Sequence, residues 1–406
     1  MKTDLLAARF VTAPLAALLL LCVTSADARF TPKDFAVRDA RSVHGLLLDE
    51  GVLLGDEERP QFSCSGEFGE VASLIWTGRD AHAVTIGSSG VWLTAEHGCH
   101  WRRTTGAVDG QRVVGHYQPF DGSDRVVFAV DDEFGGTAIM ETVDGGFTST
   151  LSGSLAVSDA AFVALAGQGA VVAIGSRTDD GMLRTWWSQD SGETFVMAAA
   201  QEVTVSDGLT GAGYAQGRLW LWDMGVLHGV NSDGEVVYEA PGVETFGPVA
   251  GTSDGAVWLA AGVEGLWRKG PDEPWERVQQ EDTRSVKVAY GQLWVARSVS
   301  HAGAPVILRS DDDGASWWPA WHAPATWTYP ATCESSLAQT CGGASSTLQQ
   351  DLGLPYEATP VDTSSEPDVP AEGGCGAAKG PLGCATIACL FMVLCLSSRR
   401  RRPGSP

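Results

Sequence analysis

The sequence predicts an all-β fold, a seven-bladed β-propeller across residues 29–322. Three observations carry this: a hairpin box recurs four times, its spacing is nearly constant, and short β-type runs precede each copy. The four boxes are Thr94-Ala-Glu96-His-Gly98, Thr142-Val-Asp144-Gly-Gly146, Ser188-Gln-Asp190-Ser-Gly192 and Ser310-Asp-Asp312-Asp-Gly314. Trp101, Phe147, Phe195 and Trp317 follow them. Each residue type has a reason to be there. The acid accepts hydrogen bonds from turn amides, the glycine takes a positive φ, and the aromatic opens the next strand.

The first two intervals are 48 and 46 residues, and 122 then pass before the box at Ser310. Two degenerate copies fill that gap. Gly225-Val-Leu-His-Gly229 leads into Asn231-Ser-Asp233-Gly234, and Gly265-Leu-Trp-Arg-Lys269 leads into Pro271-Asp-Glu-Pro-Trp275. A further copy, Gly45–Asp49, lies 45 residues before Thr94. Seven units of 40–48 residues result. Runs such as Val91–Leu93, Ala170–Ile174, Leu219–Trp222 and Leu293–Ala296 are β-branched or aromatic and end at Gly, Asp or Ser. No sustained 3.6-residue apolar period occurs between 30 and 322. A unit of this length with about four strands is one propeller blade, and ring closure removes long free sheet edges.

Hydrophobic content of 44% and a charged fraction of 19% suit a folded core, and 49 Gly with 15 Trp suit many strands and turns. The formal net charge is −23 over 406 residues. Residues 1–28 are balanced and 375–406 are basic, so residues 29–374 carry −28. That charge argues against nucleic acid or an anionic membrane surface as the main partner.

Residues 1–28 read as a signal peptide. Lys2 and Arg9 precede an apolar run from Phe10 to Val23, and Ala26-Asp27-Ala28 supplies an A-x-A cleavage site. Residues 323–358 form a cysteine-containing appendix, and residues 359–374 form a disordered linker rich in Pro, acid and Ser. Residues 375–406 start at Cys375, run through an apolar stretch from about Leu382 to Leu396, and end on Arg399–Arg402. This pattern is expected to make a short membrane helix with its basic end on the cytoplasmic side.

The boxes resemble the Asp-box (BNR) repeat of sialidases, sortilin-type receptors and photosystem-assembly propellers. The boxes at Ser188 and Ser310 match best, whereas the box at Thr94 departs at Glu96 and His100. The resemblance implies a structural turn on the rim for Thr94, Glu96, Gly98, Thr142, Asp144, Gly146, Ser188, Asp190, Gly192, Ser310, Asp312 and Gly314. The tail resembles the MYXO-CTERM sorting signal of myxobacteria. That implies a sorting protease as partner, processing at Cys375 and anchoring at the cell surface. The second cysteine of the common form is replaced by Ala377.

Export makes disulfides the expected state of Cys64, Cys99, Cys333 and Cys341. A Cys64–Cys99 bridge would tie adjacent blades and Cys333–Cys341 would close a small loop, among three possible pairings. No metal or cofactor is expected: His97 and His100 flank a hairpin, and neither CxxC nor HExxH occurs. The expected function is non-catalytic, a surface-anchored binding or scaffolding module for protein or glycan. The alternative is a sialidase-like glycoside hydrolase with its site in the central channel. It needs an arginine cluster and paired carboxylates. Arg125, Arg184, Arg218 and Arg297 are its candidates, and the Arg-Ile-Pro motif of sialidases is absent.

Overall fold

A computed structural model describes residues 29–354 except 56, 65–70, 79–82, 88–89, 96–97, 107–111, 120–121, 132–136, 153–154, 156–159, 200–201, 331–332 and 353. The signal peptide, the linker, Cys375 and the apolar tail therefore lie outside the described residues, as do Glu96 and His97.

The β-branched and aromatic runs become antiparallel meanders of four strands joined by tight turns. The first comprises β1 (Asp34–Asp39), β2 (Ser42–Leu47), β3 (Gly51–Leu54) and β4 (Gln61–Cys64). Next come β5 (Val71–Ile75), β6 (Ala83–Gly87), β7 (Gly90–Thr94) and β8 (Arg102–Arg103). A short β9 (Thr105–Gly106) precedes β10 (Arg112–Tyr117), β11 (Val126–Asp131), β12 (Thr137–Thr142) and β13 (Thr148–Leu151), and pairs in parallel with β13. Then follow β14 (Ala160–Gln168), β15 (Val171–Thr178), β16 (Leu183–Ser188) and β17 (Val196–Met197). After these run β18 (Thr210–Ala215), β19 (Arg218–Asp223), β20 (Val226–Asn231) and β21 (Val236–Glu239). They lead into β22 (Val249–Gly251), β23 (Val257–Ala260), β24 (Leu266–Lys269) and β25 (Glu276–Gln279). The series ends with β26 (Thr283–Ala289), β27 (Gln292–Arg297), β28 (Pro305–Ser310) and β29 (Trp318–His322).

The fold is an all-β propeller, but the expectation of seven separate blades is corrected. Five sheets stand alone as blades of four or five strands, and β18–β25 form one continuous eight-stranded sheet. The seam of that wide sheet is a parallel pairing of β18 with β22, Gly213 opposite Val249 and Tyr214 opposite Ala250. Glycine permits it: a Cβ on Gly213 would stand 2.2 Å from the Val249 carbonyl oxygen. The first repeat anchor is corrected as well. Asp49 lies in the turn between β2 and β3, and the hairpin equivalent to the boxes is the β3–β4 connection near Gly55.

The first and last sheets share no strand among the described residues, so the ring closes by other means. Phe30 pairs with Val299 through two backbone hydrogen bonds of 2.7 and 2.9 Å. Beyond β29 the chain crosses to β4, where the Phe62 N–H donates to the Thr328 carbonyl at 2.8 Å. Helix α1 (Glu334–Asp351) then packs on that edge. Leu337, Cys341, Leu348 and Leu352 recur on one helical face and are buried in the same core as Phe35, Phe62, Trp294 and Trp321. No helix among the described residues is long and apolar enough to cross a membrane.

The four cysteines form two disulfides, but not in the expected pairing. Cys64 bonds Cys341 and Cys99 bonds Cys333, with Cα separations of 5.4 and 5.7 Å. The helix explains the exchange. Eight helical residues rise about 12 Å, whereas a disulfide tolerates about 7 Å between Cα atoms. Cys333 and Cys341 thus cannot meet, and each reaches a propeller cysteine instead.

Candidate functional site

The innermost strands, β1, β5, β10, β14, β18, β22 and β26, surround a central cavity of about 280 Å³. On β5, β10, β14, β18 and β26 its lining comes from the C-terminal half of the strand, so it lies toward the end of the channel that also carries the box hairpins. Trp76, Gln118, Gln168, Tyr214 and Lys287 give this cavity a mixed aromatic and hydrogen-bonding wall. Gly167 and Gly251, which also line it, allow close strand packing: a Cβ would stand 2.3 Å from the Val171 carbonyl oxygen and 2.8 Å from Ala215 Cβ, respectively.

One ion pair dominates the electrostatics. Asp34 is buried at the start of β1, and its Oδ1 lies 2.7 Å from Lys287 Nζ on β26. Asp34 Oδ2 accepts from Ser73 Oγ at 2.7 Å and from the Leu74 N–H at 3.0 Å, both on β5. Ser285 Oγ donates to Oδ1 at 3.2 Å, and Lys287 also donates to the Phe35 carbonyl at 2.7 Å. Burial alone raises the Asp34 carboxyl, but the Lys287 charge and these donors outweigh it and hold the group below its ordinary value. Next to it, His116 Nε2 stands 3.4 Å from Ser73 Oγ. Burial, reinforced by the Lys287 charge, pushes the imidazole down to about 4, so it is neutral at pH 7. Tyr117, whose hydroxyl donates to the Gly169 carbonyl, is pushed up to about 12, chiefly by burial.

The box residues lie in the hairpins between the third and fourth strands of their meanders, and their polar groups are used within the turn. Thr94, Thr142, Ser188 and Ser310 each accept the N–H of the box glycine, Gly98, Gly146, Gly192 and Gly314, at 2.7–2.9 Å. The last three hydroxyls donate to Asp144, Asp190 and Asp312 at 2.6–2.8 Å. Those carboxylates in turn accept the backbone N–H and hydroxyl of Thr148, Thr194 and Ser316. Hydrogen bonds from Ser188 and Thr194 bring Asp190 down to about 2. The glycines also seat each hairpin on the preceding meander: Gly146 faces Val84, Gly192 faces Val127 and Gly314 lies flat on Trp258.

The candidate arginines do not converge, and none lines the cavity. Arg125 pairs with Glu141 at 2.8 Å, Arg218 with Glu235 at 3.0 Å, and Arg297 with Glu281 at 3.7 Å, on separate sheets. Arg184 lies on β16, a third strand remote from the axis. Among the described residues no group of three or more His, Cys, Asp or Glu side chains is placed to hold a metal. Asp34 and Lys287 were not singled out from the sequence. Their strands, DFAVRD and TRSVKVA, carry other charged residues as well, Arg38, Asp39 and Arg284, so the sequence did not mark these two.

No protein-family model matches the chain. No curated protein matches its sequence. Among solved structures, virginiamycin B lyase from Staphylococcus aureus is similar at 12% identity, covering 68% of this chain and 93% of that one, with a TM-score of 0.48. YCF48 bound to D1 peptide is similar at 14% identity, over 62% and 79% of the two chains, with a TM-score of 0.39. A GH74 enzyme from Niastella koreensis is similar at 15% identity, over 71% and 54%, with a TM-score of 0.35. Likenesses this low assign no activity to the chain.

Proposed function

We infer that the chain is a non-catalytic binding module that holds a protein or glycan ligand at the mouth of the central channel. The observation that carries this reading is the character of the wall. Trp76 and Tyr214 offer flat apolar surface, Gln168 offers an amide, and Gln118 offers its amide oxygen while its NH2 group donates to the Trp76 and Ser123 carbonyls; the Asp34 carboxylate behind the wall is neutralised by Lys287. Glycoside hydrolysis needs two carboxyl groups about 5–10 Å apart across the scissile bond. The described residues lining the cavity include no carboxylate, and Asp34 lies behind Lys287. This weighs for binding over turnover.

The sequence ends extend the reading to location: an exported protein held at the envelope by residues 375–406, with processing at Cys375 by a sorting protease. Two experiments test these statements. Glycan and peptide arrays probed with the full chain should show retained ligands, lost in a Gln168→Ala/Tyr214→Ala variant. Turnover of glycoside substrates that disappears in Asp34→Asn would overturn the binding reading. A tagged chain should fractionate with the envelope and enter the medium when residues 375–406 are deleted; unchanged fractionation sinks the anchoring.

A further inference from the structure

The opposite end of the eight-stranded sheet carries an apolar surface that the fold does not use. Met224 is 84% exposed, Val263 58% and Phe246 44%. Met224 sits in the β19–β20 turn, Val263 in the β23–β24 turn, and Phe246 just before β22. Inner strands run toward the cavity and second strands run back, so all three segments lie at the end away from the cavity. One ring stack and three hydrogen bonds tie their segments together. The Phe246 ring stacks on Trp222 at 4.1 Å between centroids. Thr245 Oγ1 donates to the Ala261 carbonyl at 2.9 Å, and Glu264 Oε2 accepts the Glu244 and Thr245 N–H groups at 2.7 and 2.9 Å.

Met224 is not accounted for by its local structure. It has φ 48 and is followed by Gly225 with φ 93, the paired positive values of a turn that suits Asn-Gly. A methionine there costs on the order of 1 kcal/mol in backbone strain and leaves a large apolar side chain in water. Neither conformation nor burial favours it, whereas contact with a partner does. Charge narrows the partner. Asp223, Glu244 and Glu264 each lie within two residues of one of the three apolar side chains, in a segment, residues 29–374, that carries −28. Of the cations nearby, Arg284 is paired with Asp282, and Arg277, which donates to the Gln280 carbonyl, keeps its charge and offsets Glu264 in part, leaving the acids in excess.

We propose that Met224, Phe246 and Val263 form a docking surface for a basic polypeptide segment whose apolar side chains alternate with lysine or arginine. The acidic rim draws the segment in, and the three side chains take up its apolar anchors. This surface is separate from the channel and stands whatever the channel binds.

The test titrates the full chain with a synthetic octapeptide of alternating Lys and Leu, read by tryptophan fluorescence and calorimetry. Lys/Ser and Glu/Leu octapeptides serve as controls. Binding is expected for Lys/Leu alone, with affinity at least tenfold weaker in a Met224→Asn/Val263→Ser variant and unchanged in Gln168→Ala. Met224→Asn should melt no lower than the parent, since asparagine tolerates this φ, so lost binding cannot be ascribed to unfolding. Equal affinity for Lys/Ser, or full affinity in the double variant, overturns the proposal. So does self-association of the parent that Met224→Asn abolishes, because a second copy then covers the surface.

Discussion

Lys287 Nζ lies 2.7 Å from Asp34 Oδ1, so a salt bridge joins the last inner strand to the first at the point where the ring closes. The pair is asymmetric: the Asp34 side chain is buried, and the Lys287 side chain, which lines the cavity, retains 31% exposure. Removing the cation strands a buried charge, so Lys287→Met is expected to destabilise by on the order of 3 kcal/mol. A double Asp34→Asn/Lys287→Met variant should recover part of that loss. Denaturant unfolding of the three variants checks this, and a neutral Lys287→Met would show that the pair does not close the ring.

Two neighbouring groups make stability fall with acid in sequence. His116 titrates at about 4 in the fold against an ordinary 6.5, so the unfolded chain binds its proton first. Its contribution is full above pH 6.5 and is lost as the pH drops from there toward 4. Asp34, held below its ordinary 3.8, loses its own contribution only at lower pH. Unfolding free energy followed from pH 7 to 3 should decline first through the histidine window. His116→Gln should flatten that first decline and leave the lower one in place. A parent whose stability is flat between pH 6.5 and 4 would contradict the assignment.

The strand regions and hairpins were legible because they rest on local chemistry. Ser188 needs only Asp190 and Gly192 beside it to make its turn, and Leu219–Trp222 is a strand by composition. What escaped is non-local. Nothing near Gly213 announces that it pairs with Val249, yet that contact merges two meanders into one sheet. The anchor at Asp49 slipped by one strand because the first unit lacks a box to fix the phase. The cysteine pairing depended on residues 334–351 being helical, and that helix is rich in Ser, Thr and Gly, with three buried positions, Leu337, Cys341 and Leu348, among its described residues. Asp34 and Lys287 are 253 residues apart and meet only because the ring closes.

Peptide mapping without reduction should recover Cys64 linked to Cys341 and Cys99 linked to Cys333. These bonds span 277 and 234 residues, so each constrains a very long loop of the unfolded chain. A Cys64→Ser/Cys341→Ser pair is expected to lose about 2–4 kcal/mol. Because α1 bridges the first two meanders, the loss should appear first as protease cleavage between Ala323 and Leu354. Recovery of a Cys64–Cys99 peptide would refute the pairing.

Asp351 ends α1 beside Asp49 and Glu50, at the negative end of the helix dipole. Burial, then the Asp49 charge, raises its carboxyl above the ordinary value. A raised acid costs stability while ionised, and the cost disappears as the pH falls through its folded value. Asp351→Asn is therefore expected to stabilise the chain by roughly 0.5 kcal/mol at pH 7 and by nothing at pH 3. Equal gains at both pH values would point to a cause other than charge.

Gly314 tests the box as a packing device. A Cβ there would meet the Trp258 ring at 2.3 Å, and the residue also has φ 89. Gly291, at φ 72, has nothing within 4 Å of the same position. Gly291→Ala should thus lose only the conformational term, about 1 kcal/mol. Gly314→Ala carries that term and must also displace an indole that is 1% exposed and packed edge-on against Trp317. Overpacking of this kind adds about 1–3 kcal/mol. Thermal unfolding of the two variants separates the terms. Equal losses would mean that the glycine serves the turn alone, and a larger loss for Gly314→Ala would mean that it also seats one meander on the next.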